Sequence, residues 1–154
     1  MIRNDHYYNE HRSGALDKLK SFGTKYQMEL GRRSMQDYYN ITHNSKICLS
    51  PYGMGEIGER DYEAMMLGTI ILKPSCERVD SIPKMMIENE TYIPCKYDWS
   101  DLEEKIDYIL SNYKELNERI VYNCRKKYLD DFTYDHIGMH LYNMFKKLPK
   151  IESI

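Results

Sequence analysis

Three glycines within six residues, Gly53, Gly55 and Gly58, are followed by Arg60 and, three residues further on, by Glu63. A glycine-rich backbone lets a ligand come close to the main chain. A helix beginning near Glu59 would turn its free N–H groups and positive dipole end toward that loop, a physical basis for holding phosphate. Arg60 and Glu63 then admit two readings. They can form an i, i+3 ion pair on a helix surface, which is nearly neutral in energy. Alternatively, Arg60 faces a diphosphate while Glu63 accepts hydrogen bonds from a ribose diol. Tight turns need glycine whether or not they bind anything, so the loop by itself leaves the choice open. No Gly-Lys-Ser/Thr follows the glycines, which excludes a P-loop. The spacing Gly53-x-Gly55-x-x-Gly58 satisfies the letters of a dinucleotide fingerprint, but the next strand ends in Lys73-Pro74 instead of the acidic residue that fingerprint requires.

Other residues with chemical potential have plainer explanations. His136 and His140 lie four apart, at ligand spacing, but no third ligand accompanies them, and two histidines on a wet helix face account for the pattern. His6 and His11 fall in a polar N-terminal stretch. Cys48, Cys76, Cys95 and Cys124 include no Cys-x-x-Cys pair, so no zinc knuckle is expected, and without an export signal they read as reduced, apolar thiols. Met65-Met66 and Met85-Met86 suit core filling. Lys146, Lys147 and Lys150, like Arg125-Lys126-Lys127, read as solvated helix surface.

The chain has 154 residues and a formal net charge of -2, a balance that argues against a broad basic nucleic-acid-binding face. At this length a single well-cored domain spanning 1–154 is expected, with residues 1–10 loose. No apolar run reaches the roughly 18 residues of a membrane span, and the start lacks an apolar signal region, so the chain reads as cytoplasmic. Fifteen tyrosines against three phenylalanines and one tryptophan predict a core with many polar edges.

The positioning elements follow from periodicity. Ala15, Leu16, Leu19 and Phe22 predict an amphipathic helix over His11–Phe22, ended near Gly23. A short strand over Lys25–Leu30 follows. Ser34 caps a helix to about Asn44, with Met35, Tyr38, Tyr39 and Thr42 inward. The apolar run Lys46–Ser50, the glycine loop, a helix over Glu59–Leu67 stopped by Gly68, and the buried strand Thr69–Pro74 compose one βαβ unit. Tyr92–Cys95 supplies another parallel strand. Ser100 and Glu103 form a capping box for a helix to about Asn112, Leu116–Cys124 lie on a second, and Thr133 caps a third with Ile137, Leu141, Met144 and Phe145 inward. The fold class is α/β, a Rossmann-like three-layer domain with a small parallel sheet and a helical C-terminal third.

The segments Ser45–Glu56 and Arg60–Leu72, above all the order Arg60-x-Tyr62-Glu63-Ala64-x-x-x-Gly68, resemble the C-terminal donor-binding domain of GT-B glycosyltransferases, in the group 1 and exostosin-like branch. Thr91–Glu103 is similar to the strand that leads into a capped helix in the same family, and the resemblance covers roughly Arg12 to Phe145. It implies a nucleotide-diphosphate sugar as donor and no metal or other cofactor. Glu63 would bind the ribose, and Arg60 would neutralise the diphosphate as it leaves, the catalytic contribution. Gly53, Gly55, Glu56, Gly58 and Lys73 would complete the donor site. Many family members carry two glutamates eight positions apart; here Gly55 stands where the first would be, with Glu56 one residue later.

The resemblance also implies a second lobe for the acceptor, and the chain has the size expected of one lobe without its first strand. A partner chain or homodimer would supply the remainder. The alternative from another class is a non-catalytic nucleotide-binding or interaction module derived from such an enzyme, and a third is a regulatory domain that uses the same loop.

Overall fold

A computed structural model describes residues 6–147. Its elements run α1 (His6–Ser21), α2 (Met35–Asn44), β1 (Ile47–Leu49), α3 (Glu59–Leu67), β2 (Ile70–Pro74), β3 (Ile93–Cys95), α4 (Leu102–Ser111), α5 (Tyr113–Asp131) and α6 (Tyr134–Lys146). The fold is α/β and Rossmann-like. Among the described residues the sheet has three strands in the order β1-β2-β3, all parallel, with Ile47 opposite Ile70 and Leu72 opposite Ile93. All five residues of β2 are buried, as a central parallel strand covered on both faces requires. Helices α3 and α5 pack on β2, and α4 packs on β3. The core joins Ile70, Ile71 and Leu72 to Ala64 and Met65 of α3, Ile109 of α4 and Ile120 of α5.

The βαβ unit forms at the expected residues. Gly68 ends α3 in the left-handed region, at φ 77°, with its N–H directed at the carbonyls of Ala64 and Met65. A Cβ there would meet Val121 and Arg125 only at an ordinary 3.6 Å, so the cost of a side chain is conformational. Gly68→Ala is expected to lower stability by about 1–2 kcal/mol in urea denaturation. Ser34 caps α2 as expected, its Oγ accepting from the Asp37 N–H at 3.1 Å. Thr133 Oγ1 likewise accepts from the His136 N–H at 3.2 Å at the start of α6.

Six expectations need correction. Helix α1 begins at His6, so 6–10 are helical; residues 1–5 of the stretch expected to be loose, and Lys150, lie outside the described residues. The segment 25–30 is not a strand. Tyr26, Met28 and Leu30 do alternate inward, but Lys25 Nζ reaches Glu103 and Asp107 of α4 at 2.8 Å and Tyr26 Oη donates to Asp107 at 2.6 Å. Side-chain ties to a helix therefore fix the segment in place of a ladder. Those ties also remove the capping box of α4. Glu103 is engaged by Lys25, the cap residue is Asp101 with no side-chain cap bond, and Asp101 Oδ1 accepts instead from the Lys96 N–H at 2.8 Å. Met35 faces solvent, and so does Met66, so of that methionine pair only Met65 fills the core. Finally, α6 packs mainly on α5 and buries none of its residues, leaving Leu141, Met144 and Phe145 exposed and Ile137 half-buried.

Candidate functional site

At the carboxyl end of β1 the chain is held by the Ser50 N–H, which donates to the Leu72 carbonyl at 2.9 Å. The glycine loop then crosses to α3, closed on itself by the Gly53 N–H donating to the Gly55 carbonyl at 3.0 Å. None of its glycines has a positive φ. Gly53 leaves room for Arg12: a Cβ there would lie 2.5 Å from its Nη2 and would push the guanidinium aside, while its Nε donates to the Tyr52 carbonyl at 3.3 Å. A Cβ on Gly58 would meet nothing within 4 Å.

Gly58 is the N-cap of α3, and Asp61 supplies what a glycine cap lacks, its Oδ2 accepting from the Gly58 N–H at 2.9 Å. The same oxygen lies 2.6 Å from Lys73 Nζ. Lys73 and Asp61 are 0% and 1% exposed, and the ammonium also donates to the Glu56 carbonyl at 2.7 Å. Lys73 therefore grips the glycine loop from beneath and its charge is neutralised at Asp61. This ammonium does not face outward as the resemblance implied. The buried Asp61 Oδ1 has no hydrogen-bond partner. Glu56 contributes its carbonyl to this tether and exposes its side chain.

Arg60 and Glu63 do not pair. Arg60 is exposed and makes no ion pair or hydrogen bond among the described residues. Glu63 is half-buried and accepts instead from Tyr39 Oη of α2 at 3.2 Å. That bond to a carboxylate raises the pKa of Tyr39. Beside it the Tyr38 hydroxyl is buried without a partner, and burial pushes its pKa up to about 12, with the Cys48 thiol and the Glu63 carboxylate acting in the same direction. Thr69 Oγ1 donates to the Thr42 carbonyl at 2.6 Å, which pins α2 against the start of β2. The surface ion pair is thus absent: Glu63 is engaged by Tyr39, and Arg60 stands free of both.

On the other side of the loop, a cleft of about 400 Å³ opens between the carboxyl ends of β2 and β3, walled by Tyr52 and Tyr97 with Lys96, Asp101 and Lys105 at its margin. Ligands of open parallel sheets sit at this end of the strands. Behind the wall, His11 is 6% exposed and stacked on Tyr97 at 4.3 Å. Its Nε2 lies 3.2 Å from the Tyr97 carbonyl, its Nδ1 is buried and unpartnered, and burial holds its pKa below the usual value. Trp99 Nε1 donates to the His11 carbonyl at 3.2 Å. Among the described residues, no group of three or more His, Cys, Asp or Glu is placed to hold a metal ion, and no helix is long and apolar enough to cross a membrane. The four cysteines are free thiols.

Sequence reasoning missed Arg12, Tyr39 and the aromatic wall. Spacing puts Tyr39 on the inner face of its helix, and its hydroxyl is the available signal of a polar partner. Arg12 carried none, since its partner lies 40 residues away.

The arrangement is that of a Rossmann-like α/β domain with a tethered glycine loop, a half-buried carboxylate and unpaired arginines at the carboxyl end of its sheet. The chain belongs to the glycosyl transferase-like family, whose model matches residues 7–143. No curated protein matches it.

Proposed function

We propose that the chain binds a nucleotide-diphosphate sugar at the glycine loop and serves transfer of its glycosyl group to an acceptor. Membership of a glycosyltransferase-like family gives the class of reaction. The observation that carries the assignment of residues is the separation of Arg60 from Glu63. The arginine is left unpaired in the first turn of α3, where an anion is favoured, while Tyr39 holds the carboxylate one turn along the same helix. In this reading Glu63 accepts hydrogen bonds from the ribose hydroxyls, and its bond from Tyr39 fixes the rotamer that does so. Arg60 and the loop amide of Gly55 face the diphosphate, Gly53 lets the chain pass beneath it, and Gly58, whose N–H is taken by Asp61, shapes the entry into α3. Cleavage of the anomeric C–O bond leaves the electron pair on the diphosphate, and Arg60 stabilises the charge that develops there. The reading needs no metal for that step. Glu56, one position after the residue a second family glutamate would occupy, reaches for the sugar. Lys73 acts through the loop it tethers. The acceptor side comes from a partner chain or a second copy.

A thermal-shift screen with millimolar UDP, GDP, ADP, CDP and dTDP tests this. Ligand at a hundred times its dissociation constant stabilises by about 2.7 kcal/mol, so at least one nucleotide is expected to raise Tm by several degrees. Arg60→Ala and Glu63→Ala are each expected to abolish that rise. Silence across the panel would refute donor binding and favour a non-catalytic module. Donor hydrolysis by the isolated chain then separates binding from turnover.

A further inference from the structure

Resting on that reading, we infer that Arg12 of α1 is a second diphosphate-binding residue, and that it enters the site through the space Gly53 leaves. The cationic side chains about the glycine loop decide the point. Lys73 is buried against Asp61, so that pair is neutral toward a ligand. Arg60 stands at the start of α3, on the loop's exit. Arg12 lies at its entrance, over Tyr52 and Gly53, and makes no ion pair among the described residues.

The position of Arg12 is built by its neighbours. His11, the residue before it, is buried against Tyr52, Tyr97 and Trp99, with ring centroids 5.3, 4.3 and 4.6 Å away, and its carbonyl accepts from Trp99 Nε1. Ala15, one turn on, is buried in the core. Two buried residues one turn apart fix the rotation of α1 about its axis. Arg12 is then presented to the loop, where its Nε–H is bound to the Tyr52 carbonyl. One of the five guanidinium N–H donors is used in this way, which orients the planar fork, and the Nη groups remain for an acceptor. Any side chain at 53 would collide with them, since a Cβ would lie 2.5 Å from Nη2. A planar fork held by its Nε and offering its Nη edge is the geometry that takes two oxygens of a phosphate. With Arg60 it gives the loop two positive groups from two different helices, which matches the two charged phosphates of a nucleoside diphosphate better than a monophosphate or a neutral sugar.

Isothermal titration of the full chain tests the assignment, using the nucleoside diphosphate that stabilises it most in the panel above, the matching nucleoside, and inorganic pyrophosphate. Loss of one charge-assisted contact of this kind is expected to weaken Arg12→Ala for the nucleoside diphosphate and for pyrophosphate by about 10- to 100-fold, while the nucleoside binds as to wild type. Arg12→Lys keeps the charge without the fork and recovers part of the loss. Gly53→Ala leaves Arg12 in the sequence but displaces its guanidinium, and is expected to show the same selective loss with an unchanged far-UV circular dichroism spectrum. Wild-type affinity for pyrophosphate in Arg12→Ala overturns the inference, as does an equal loss for nucleoside and diphosphate, which would mark Arg12 as merely structural. Wild type that binds none of the probes refutes donor binding as well, so the two failures are told apart.

Discussion

Lys73→Met is expected to destabilise the protein by about 3–5 kcal/mol, the usual cost of removing one partner from a buried ion pair. The replacement fits the volume of the lysine stem in a fully buried strand, so the loss comes from what is left behind. Asp61 would remain enclosed without its counter-ion, with Oδ1 already lacking a partner and Oδ2 losing its cation at 2.6 Å. The Glu56 carbonyl would lose its donor as well. Asp61→Ala is expected to be comparably damaging, for it strands the ammonium and also frees the Gly58 N–H that Asp61 caps. Combining them removes both charges, and the double variant is expected to be less destabilised than the sum of the two single ones, with a coupling of up to about 3 kcal/mol. Trp99, the single tryptophan of the chain, is buried, so its fluorescence follows urea unfolding in all these variants. A Lys73→Met midpoint within about 1 kcal/mol of wild type would show that the pair is not the restraint on the loop that its burial implies.

The same pair shows where reading the sequence stops. The βαβ unit was legible almost residue by residue because each of its signals is local: a proline after β1, glycines in the turn, an acidic first turn in α3 and Gly68 at its end. Ser34 and Thr133 caps were legible for the same reason, since an N-cap needs only the residue and the three that follow. Long-range competition was not. Lys73 lies near the end of a strand, and nothing in its neighbourhood says that Asp61, in the first turn of the preceding helix, will neutralise it. Glu63 was readable as a site residue, but its i, i+3 partner was replaced by a tyrosine 24 residues away. Glu103 fitted a capping box and was taken by Lys25, 78 residues earlier. Both glutamates had a local partner by spacing and a better one by packing. The apolar spacing of α6 is legible in the sequence, yet an apolar stripe does not show how much of the fold is available to cover it, and here α5 covers little.

Trp99→Ala is expected to cost about 3–5 kcal/mol, in the range of a large aromatic deleted from a core. Trp99 joins two parts of the chain that the sheet does not. It follows β3, closing a turn through its N–H to the Lys96 carbonyl at 3.1 Å, and its carbonyl accepts from the Leu102 N–H at 3.2 Å to lead into α4. Its indole carries that turn to α1, donating to the His11 carbonyl and lying tilted against the imidazole, while the helix backbone approaches at Gly14, where a Cβ would sit 3.7 Å from Cδ1. The residue does this at φ 62°, a left-handed conformation that costs a non-glycine residue about 1–2 kcal/mol. Alanine deletes the indole and keeps that cost; glycine deletes the indole and escapes it. Trp99→Gly is therefore expected to unfold at a urea concentration equal to or above that of Trp99→Ala, the reverse of the order at an ordinary backbone position. A glycine variant clearly weaker than the alanine one would mean that the turn does not hold position 99 in the left-handed region. Because the indole seats His11 beside Arg12, both variants are also expected to weaken pyrophosphate binding, whereas Trp99→Phe, which keeps a ring against the imidazole, loses less of it. The tryptophan thus connects the stability of the β3 to α4 turn to the placement of a cation on the glycine loop.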